Sequence, residues 1–470
     1  MSRDTAPRRN VRLSIGLCTF NQEAYFADTL AALARLAEAE PALGTVHVVN
    51  QGAPFASDRI RALLRAPRFQ LVEQRNLGGC GGFTRSLIEA QNAAPPATHH
   101  LMMDDDIVLD ARLISRAIRF LSFTTGDIAL GGAMFDGLRP RVMYEAGAFL
   151  TPDNTVAPYC QNVDLTDPGQ QDHFNQPVAT DYNAWWFCIL PLERTRRIGL
   201  PAPIFIRGDD FEYGQRLARD GVPTVTLPGI GVWHEPFHAK PEGWQAYYDL
   251  RNRLIFGATH SDKVRQLSLF RILGLLVRPC LTHRYMLAEL RLKAVADFLK
   301  GPEGLFAQDP EDLHGDVMAL ARVNAPEKLD DAVWKKRPVT PGRPPPEGLR
   351  ALVLGSLASL LGTGLLPHRS GPEPVLLAAD THPATTTRQA YVMTNETRSY
   401  HQRLAPDRAR LWALIWQALR MARQYRHEIG AASAAWADGI GRFQRPEAWA
   451  RILGTHIETA GKRRIDDYCA

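Results

Sequence analysis

Residues 69–106 read FQLVEQRNLGGCGGFTRSLIEAQNAAPPATHHLMMDDD. The pattern predicts a strand at 69–73, a glycine-rich turn at 76–82, a helix at 83–93 and a second strand at 100–103. Parallel neighbouring strands need a crossover connection, which is usually a helix. This stretch therefore predicts a β-α-β unit of a parallel sheet, with three aspartates at the end of its second strand.

The same alternation precedes this unit, with strands expected at 11–18 and 45–49 and helices at 23–40 and 60–65. It predicts an α/β domain with a doubly wound, mostly parallel sheet. Ligands bind such sheets at the carboxyl ends of the strands. The polar segments fall at those ends: 19–21, 50–52, 76–82 and 104–106.

Length and composition are those of a globular protein of several domains, with 470 residues, 45% of them hydrophobic. We expect a flexible tail at 1–10, the α/β domain at 11–260 and a mainly α-helical C-terminal domain at 261–470, with a Pro-rich linker near 335–347. The six cysteines are scattered without a CxxC pair, which favours a reducing cytoplasmic location without disulfides or structural zinc.

Charge divides unevenly along the chain. Residues 1–260 hold 25 Lys and Arg against 28 Asp and Glu, whereas 261–470 hold 30 against 22. The basic half includes an amphipathic segment at 266–277 and an uncharged run at 351–367, too short for a typical membrane span. These features predict either peripheral contact with an anionic membrane or packing in a helical core. Nucleic-acid binding is not predicted, because no aromatic-interleaved basic cluster is present.

Asp104, Asp105 and Asp106 follow an apolar strand directly. Residues i and i+2 of an extended segment point to one side, so Asp104 and Asp106 are candidates to share a divalent cation. An acidic turn is the alternative. His234 ends another predicted strand, and its imidazole is able to complete a Mg²⁺ or Mn²⁺ site.

Three further motifs each allow two interpretations. The acidic pair Asp209 and Asp210 opens a predicted helix at 211–219, where carboxylates also serve as ordinary helix-dipole partners. The glycines of 76–82 either cradle a phosphate or form a turn without a ligand. Trp185 and Trp186 follow a predicted long loop at 150–182 and are either core residues or a platform for sugar stacking.

In their order, these motifs resemble the GT-A glycosyltransferases of family 2, and most closely the bacterial galactofuranosyltransferases. The resemblance runs from about residue 14 to 254 and rests on eight motifs: LCTFN (17–21), NQG (50–52), NLGGCGGF (76–83), MMDDDI (102–107), WW (185–186), GDDFEYGQR (208–216), TLPGIGVWH (226–234) and WQAYYDLRNRL (244–254). It implies inverting, metal-dependent transfer of galactofuranose from UDP-galactofuranose to a glycan or lipid-linked glycan in cell-surface polysaccharide synthesis, with Mn²⁺ or Mg²⁺ as cofactor.

The resemblance also implies roles for individual residues. The donor-binding residues would be Thr19, Phe20, Asn21, Gln51, Asn76, Gly79, Gly82, Asp104 and Asp105. The metal ligands would be Asp104, Asp106 and His234. Asp210 would be the general base, its pKa raised by the like charge of Asp209, and the acceptor residues would be Asp209, Trp185 and Trp186.

One position departs from the family pattern, since Asn50 stands where an aspartate is common. A transferase that uses another NDP-sugar, such as a rhamnosyl donor for capsule or O-antigen, is a second hypothesis. A non-catalytic scaffold that binds nucleotide sugars is a third, but it predicts loss of the acidic residues, which are all present. Assembly into a homo-oligomer is left open.

Overall fold

The computed structural model describes residues 7, 9–174, 176–341 and 348–454. These divide into two compact units: the first comprises the described residues up to Glu235 and from Gly439 onward, and the second those of Pro236–Asp438. The observed division lies near residue 235, whereas the sequence suggested 260, because the helix Gln245–Thr259 packs against the helix Tyr285–Leu299. Most of the predicted tail (1–6 and 8) and residues 342–347 of the predicted linker lie outside the described residues.

The first unit is built mainly of strands and the helices that cover them. Its strands are β1 Leu13–Thr19, β2 Leu43–Asn50, β3 Phe69–Glu73, β4 His99–Asp104, β5 Ala129–Asp136, β6 Val142–Glu145, β7 Ala148–Thr151, β8 Thr155–Pro158, β9 Val163–Asp164, β10 Val178–Thr180, β11 Phe187–Pro191 and β12 Thr224–His234. Its first six helices are α1 Glu23–Ala39, α2 Asp58–Leu63, α3 Gly78–Asn92, α4 Arg112–Ser122, α5 Leu192–Ile198 and α6 Asp209–Arg219.

The main sheet has the order β10-β12-β5-β11-β4-β1-β2-β3, and β6 and β9 extend it beside β5. Four of the seven neighbouring pairs along the main order are parallel: β5 with β12, and the three pairs within β4-β1-β2-β3. The predicted α/β class with a mostly parallel sheet is therefore confirmed. The core forms because strand residues such as Ile15 and Val46 meet the apolar stripe of α1, which buries Phe26, Leu30 and Leu33.

Two parts of this unit differ from the sequence prediction. Helix α3 begins at Gly78 rather than at residue 83, because its glycines let the helix lie directly on β1; a Cβ at Gly82 would overlap the sulfur of Cys18. The predicted loop at 150–182 instead contains β8, β9, β10 and a 3₁₀ helix at Pro168–Phe174. These strands have two to four residues each, too few to give a clear alternating pattern.

The second unit is mainly helical, as predicted. Its helices are α7 Gln245–Thr259, α8 Leu269–Leu281, α9 Tyr285–Leu299, α10 Gly301–Phe306, α11 Pro310–Val323, α12 Asp331–Trp334, α13 Leu349–Leu365, α14 Pro383–Thr386 and α15 Arg408–Gly439. The sequence did not indicate its four short strands, β13 Glu327–Lys328, β14 Val375–Leu377, β15 Tyr391–Thr394 and β16 Gln402–Leu404, which form a sheet in the order β13-β16-β15-β14.

After α15 the chain returns to the first unit, where α16 (Pro446–Leu453) is anchored by the Trp449 indole, which donates to the Pro201 carbonyl at 2.8 Å. Over the described part of the chain, no helix combines the length and the apolar character needed to cross a membrane.

Candidate active site

The carboxyl ends of β4 and β12 bring an acidic cluster and a histidine together. Asp104 is the last residue of β4, and its backbone pairs with Cys18 on β1. Beyond the aspartates, Val108 and Trp233 exchange two backbone hydrogen bonds of 2.8 and 3.1 Å. This bridge fixes the end of β12 against the segment that follows β4, so His234 faces the aspartates.

Asp104, Asp106 and His234 each offer one ligand atom, and these three atoms lie within 4.8 Å of one another. Asp104 and Asp106 reach the same side, as their i, i+2 spacing predicts. Two carboxylate oxygens and one imidazole nitrogen form a donor set that suits Mn²⁺ or Mg²⁺. The structure thus forms the predicted cluster from two segments that are distant in sequence, the end of β4 and the end of β12.

The His234 ring is held by both of its nitrogens. Its Nδ1 lies 2.6 Å from the Glu235 carbonyl oxygen, to which it donates, and its Nε2 lies 3.1 Å from Oδ1 of Asp106. Burial lowers the pKa of His234, but the hydrogen bond to Asp106 and the charges of Asp106 and Asp104 outweigh burial and raise it to about 9. A proton on Nε2 therefore occupies the position through which the ring would bind a cation.

The other two carboxyls of the triplet differ in surroundings. Burial raises the pKa of Asp104 to about 6, with Asp106 and Asp210 adding to the rise and His234 opposing it. Burial also raises the pKa of Asp105 to about 7, and the nearby Thr19 hydroxyl lowers it. Asp105 does not belong to the cluster around His234.

The second acidic pair lies at the first turn of α6. Gly208 precedes it with a φ of 86°, which reverses the chain, and Oδ1 of Asp210 accepts a hydrogen bond of 2.8 Å from the Phe211 amide. Burial raises the pKa of Asp210 to about 6, and the Arg207 charge opposes this. The pKa of Asp209 is also raised, first by burial and then by the charge of Asp210, so the two carboxyls influence each other as their adjacency predicts.

The two acidic groups belong to one electrostatic site. The charge of Asp104 raises the pKa of Asp209, and the charge of Asp210 raises that of Asp104. Asp104 is thus the link between the two groups, since it interacts with Asp106 on its own segment and with Asp209 and Asp210 on α6. Such a concentration of acids, one buried and three partly buried, is characteristic of functional sites.

Among the predicted donor-binding residues, Gln51 forms side-chain hydrogen bonds with the backbone at the start of α3. Its side-chain oxygen accepts from the Leu77 amide at 2.9 Å, and its nitrogen donates to the Gly78 carbonyl at 2.8 Å. Asn76 accepts from the Gly78 amide at 3.0 Å. These bonds fix the start of α3, and a Cβ at Gly79 would meet nothing within 4 Å, so this side of the helix start is open to a ligand.

The last residue of β1, Thr19, and the two residues after it lie at the neighbouring turn. Thr19 is buried, whereas Phe20 and Asn21 are exposed. Oδ1 of Asn21 accepts from the Ala53 amide at 3.0 Å, and Asn50 binds the same turn, donating to the Ala53 carbonyl at 2.9 Å. The side-chain amide of Asn50 therefore binds another part of the protein, the turn at Ala53.

Trp185 and Trp186 are core residues, with exposed fractions of 5% and 4%. The Trp186 indole donates to the Gly132 carbonyl at 3.1 Å, and Trp185 packs edge-on against Phe83. Of the two interpretations left open by the sequence, the geometry favours the core, because buried rings do not offer a face for stacking with a sugar.

The structure adds two residues to the site that the sequence did not indicate. Glu145, at the end of β6, is buried, and burial followed by the charge of Asp210 raises its pKa to about 8. Arg207 lowers the pKa of both Asp104 and Asp210. A lone glutamate within the apolar segment VMYEAGA was the available sequence signal for Glu145.

A family model described as glycosyltransferase-like family 2 matches residues 11–257, more than half of the chain. The chain belongs to this family. It is a glycosyltransferase, and the family together with the observed sheet confirms the predicted GT-A class.

Two curated relatives extend the similarity over almost the full chain. The galactofuranosyltransferase GlfT2 of Mycobacterium tuberculosis is 28% identical over 94% of this chain and 73% of its own length. GlfT2 of Mycolicibacterium smegmatis is 29% identical over 96% of this chain and 73% of its own.

Among solved structures, GalNAc-T7 with UDP, GalNAc and Mn²⁺ is similar over 53% of this chain and 48% of its own, with 13% identity and a TM-score of 0.41. The mannosyltransferase PcManGT of Pyrobaculum calidifontis, in complex with GDP-Man and Mn²⁺, is similar over 71% of this chain and 91% of its own, with 14% identity and a TM-score of 0.38.

Proposed function

We propose that this glycosyltransferase is inverting and metal-dependent, and that it transfers galactofuranose from UDP-galactofuranose to a glycan or lipid-linked glycan acceptor. The observation that carries the proposal is the partly buried group formed by the Asp104–Asp106–His234 cluster and the Asp209–Asp210 pair. The similarity to two galactofuranosyltransferases over more than nine tenths of the chain supports this donor sugar.

The donor set of Asp104, Asp106 and His234 fits a cation, because the Glu235 carbonyl holds the ring in the orientation that presents Nε2 to both carboxylates. A bound Mn²⁺ or Mg²⁺ would neutralise negative charge on the departing nucleoside diphosphate.

Asp210 is proposed to act as the general base. Its pKa of about 6 leaves it mostly ionised at neutral pH while keeping it basic enough to accept a proton. The acceptor oxygen would form its bond to the anomeric carbon as the bond from that carbon to the diphosphate oxygen breaks, and the hydroxyl proton would pass to Asp210. Asp209 would contact the acceptor hydroxyl from the same helix turn.

On the donor side, the open face at Gly79 supports a contact with the diphosphate. Phe20 and Asn21, both exposed after β1, are proposed to contact the uridine, whereas Gln51 would act by fixing the start of α3. The roles of Thr19, Asn76, Gly82 and Asp105 remain proposals from the family resemblance. Trp185 and Trp186 would shape the acceptor site only through the residues that they support.

The excess of basic residues in the C-terminal half supports a location on the cytoplasmic side of a membrane, with peripheral contact to anionic lipids. This location would suit a lipid-linked acceptor.

Incubation with a panel of UDP-galactofuranose, UDP-galactopyranose and dTDP-rhamnose, each with a short synthetic galactofuranosyl lipid and Mn²⁺, tests the proposal by mass spectrometry of the products. We expect a hexose to be added from UDP-galactofuranose alone, and Asp210→Asn to abolish most of it. Transfer from another donor only would contradict the proposed sugar, and equal transfer by Asp210→Asn would contradict the proposed base.

A further inference from the structure

Among the residues of helix α13 whose side chains are described, four leucines are exposed and the buried residues are small. Its buried residues are Ser359, Gly362, Thr363 and Gly364. Its exposed large apolar residues, together with the one that follows the helix, are Val353, Leu354, Leu357, Leu361, Leu365 and Leu366. A helix that packs on a protein core in water has the reverse arrangement, with its apolar stripe buried.

The inward side of α13 is packed against the protein. A Cβ at Gly362 would lie 2.9 Å from the Thr387 methyl group, and the Thr363 hydroxyl accepts from the Arg388 amide at 3.3 Å. Small residues at such contacts allow close approach of backbones. The leucines therefore face outward on a helix whose other side is packed against the protein.

The first turns of α15 extend this surface. The Trp412 indole donates to the Gly364 carbonyl at 3.2 Å, and the Arg408 guanidinium donates to the Leu366 carbonyl at 2.7 Å. Trp416, one turn further along α15, is 62% exposed. We call the combined surface the Leu–Trp face; it consists of Leu354, Leu357, Leu361, Leu365, Leu366, Trp412, Trp416 and Leu419.

Helix α8 packs beside α13, and its Phe270 is 58% exposed. The chain segments that build this region, residues 262–289, 347–373 and 407–428, contain twelve Lys and Arg residues against six Asp and Glu, with one acid at each end of each segment. Two of these acids are paired within the unit, Glu289 with Arg410 at 3.1 Å and Glu373 with Arg403 at 2.7 Å. The segments around the Leu–Trp face therefore carry a net positive charge.

We propose that the Leu–Trp face docks in the plane of an anionic lipid bilayer. Its leucines would enter the boundary between headgroups and acyl chains, the indoles of Trp412 and Trp416 would lie at headgroup level, and the surrounding arginines would contact the anionic headgroups. This role rests on the proposed function, because the Leu–Trp face would bring the enzyme to a membrane that holds a lipid-linked acceptor.

The charge distribution favours a bilayer over a twofold-symmetric contact with a second copy of the chain. In a twofold-symmetric contact the same patch lies on both partners, so the basic segments around one face would meet those around the other. Like charges brought together in this way are destabilising, whereas an anionic bilayer is complementary to them.

Flotation of the full-length protein with phosphatidylglycerol–phosphatidylcholine vesicles tests the proposal. We expect the wild type to bind these vesicles and to bind pure phosphatidylcholine vesicles more weakly. The triple variant Leu354→Gln/Leu357→Gln/Leu361→Gln should lose affinity by about tenfold or more, because transfer of apolar side chains drives interfacial binding. Val323→Gln, a substitution of an 81%-exposed apolar residue on α11, is the matched control and should bind like the wild type.

A charge variant, Arg420→Gln/Arg423→Gln, should weaken binding to anionic vesicles and leave binding to neutral ones unchanged. Equal flotation of the triple variant and the wild type, or no flotation of the wild type, would overturn the proposal. So would light scattering that shows the triple variant to be a monomer and the wild type an oligomer, since the face would then be a self-interface. No sugar donor is present in these assays, so their outcome is independent of transfer to a soluble acceptor.

Discussion

The Nε2 atom of His234 lies 3.1 Å from Oδ1 of Asp106, while its Nδ1 is tied to the neighbouring Glu235 carbonyl at 2.6 Å. The ring is thus prevented from turning away from the carboxylates, and a proton or a cation at Nε2 would be stabilised by the same two aspartates. Competition between proton and cation at this position leads to the first prediction.

Affinity for Mn²⁺ should rise with pH. The pKa of His234 is raised to about 9, so between pH 6 and pH 9 a cation must displace the imidazole proton, and affinity should increase by about tenfold per pH unit for one proton released. Titration of the protein with Mn²⁺, followed by electron paramagnetic resonance at several pH values, measures this slope. His234→Ala should bind more weakly and lose most of the slope; an unchanged slope would exclude His234 as a ligand.

Transfer should require Asp210 in its ionised form. Because burial raises its pKa to about 6, kcat/KM should fall as the pH drops through about 6. Asp210→Asn should lower the rate by about 10²–10⁴-fold, the usual range for a general base, while Mn²⁺ binding is retained. Initial rates and metal titrations on the same preparations separate these effects, and a variant with near-normal rates would contradict the assignment.

Two glycines of α3 should respond differently to alanine. Gly82→Ala should lower the melting temperature, because the new methyl group would overlap the Cys18 sulfur in β1. Gly79→Ala meets nothing within 4 Å, so it should fold normally and instead raise KM for the UDP-sugar if the donor approaches there. Thermal melts and donor titrations distinguish the two variants; an unaltered KM for Gly79→Ala would argue against diphosphate binding at this position.

Glu145→Gln should stabilise the protein at pH 8 more than at pH 5. The pKa of Glu145 is raised from its ordinary value of 4.5 to about 8, so the native state favours the protonated form and loses stability as the pH rises from about 4.5 to 8. Glutamine mimics the neutral acid and removes this loss. Urea unfolding at the two pH values measures the difference, and equal effects at both would show that the Glu145 carboxyl is not perturbed.

The sequence predicts those residues of the site that lie at the ends of long strands. β4 and β12 have six and eleven residues, and parallel strands end at a shared edge, so the meeting of Asp104, Asp106 and His234 follows from pattern and topology. The Gly78 start of α3 was missed because glycine is a poor helix former, and only the close contact with Cys18 explains it.

Other features depend on contacts that no local pattern encodes. A Trp pair after a polar segment has the same sequence whether its rings are buried or exposed, and the hydrogen bond from Trp186 to Gly132 decides between them. Glu145 acquires its raised pKa from burial and from Asp210, which lies 65 residues further along the chain. Likewise, the outward leucines of α13 are apparent only once its packed side is known.

The anomeric configuration of the product made from UDP-galactofuranose, determined by NMR on a galactofuranosyl acceptor with Mn²⁺ present, tests the central claim most directly. The account predicts a new galactofuranosyl linkage whose anomeric configuration is opposite to that of the donor, formed in one displacement by the acceptor oxygen. A product with the donor's configuration, or release of free sugar without any transfer, would contradict it.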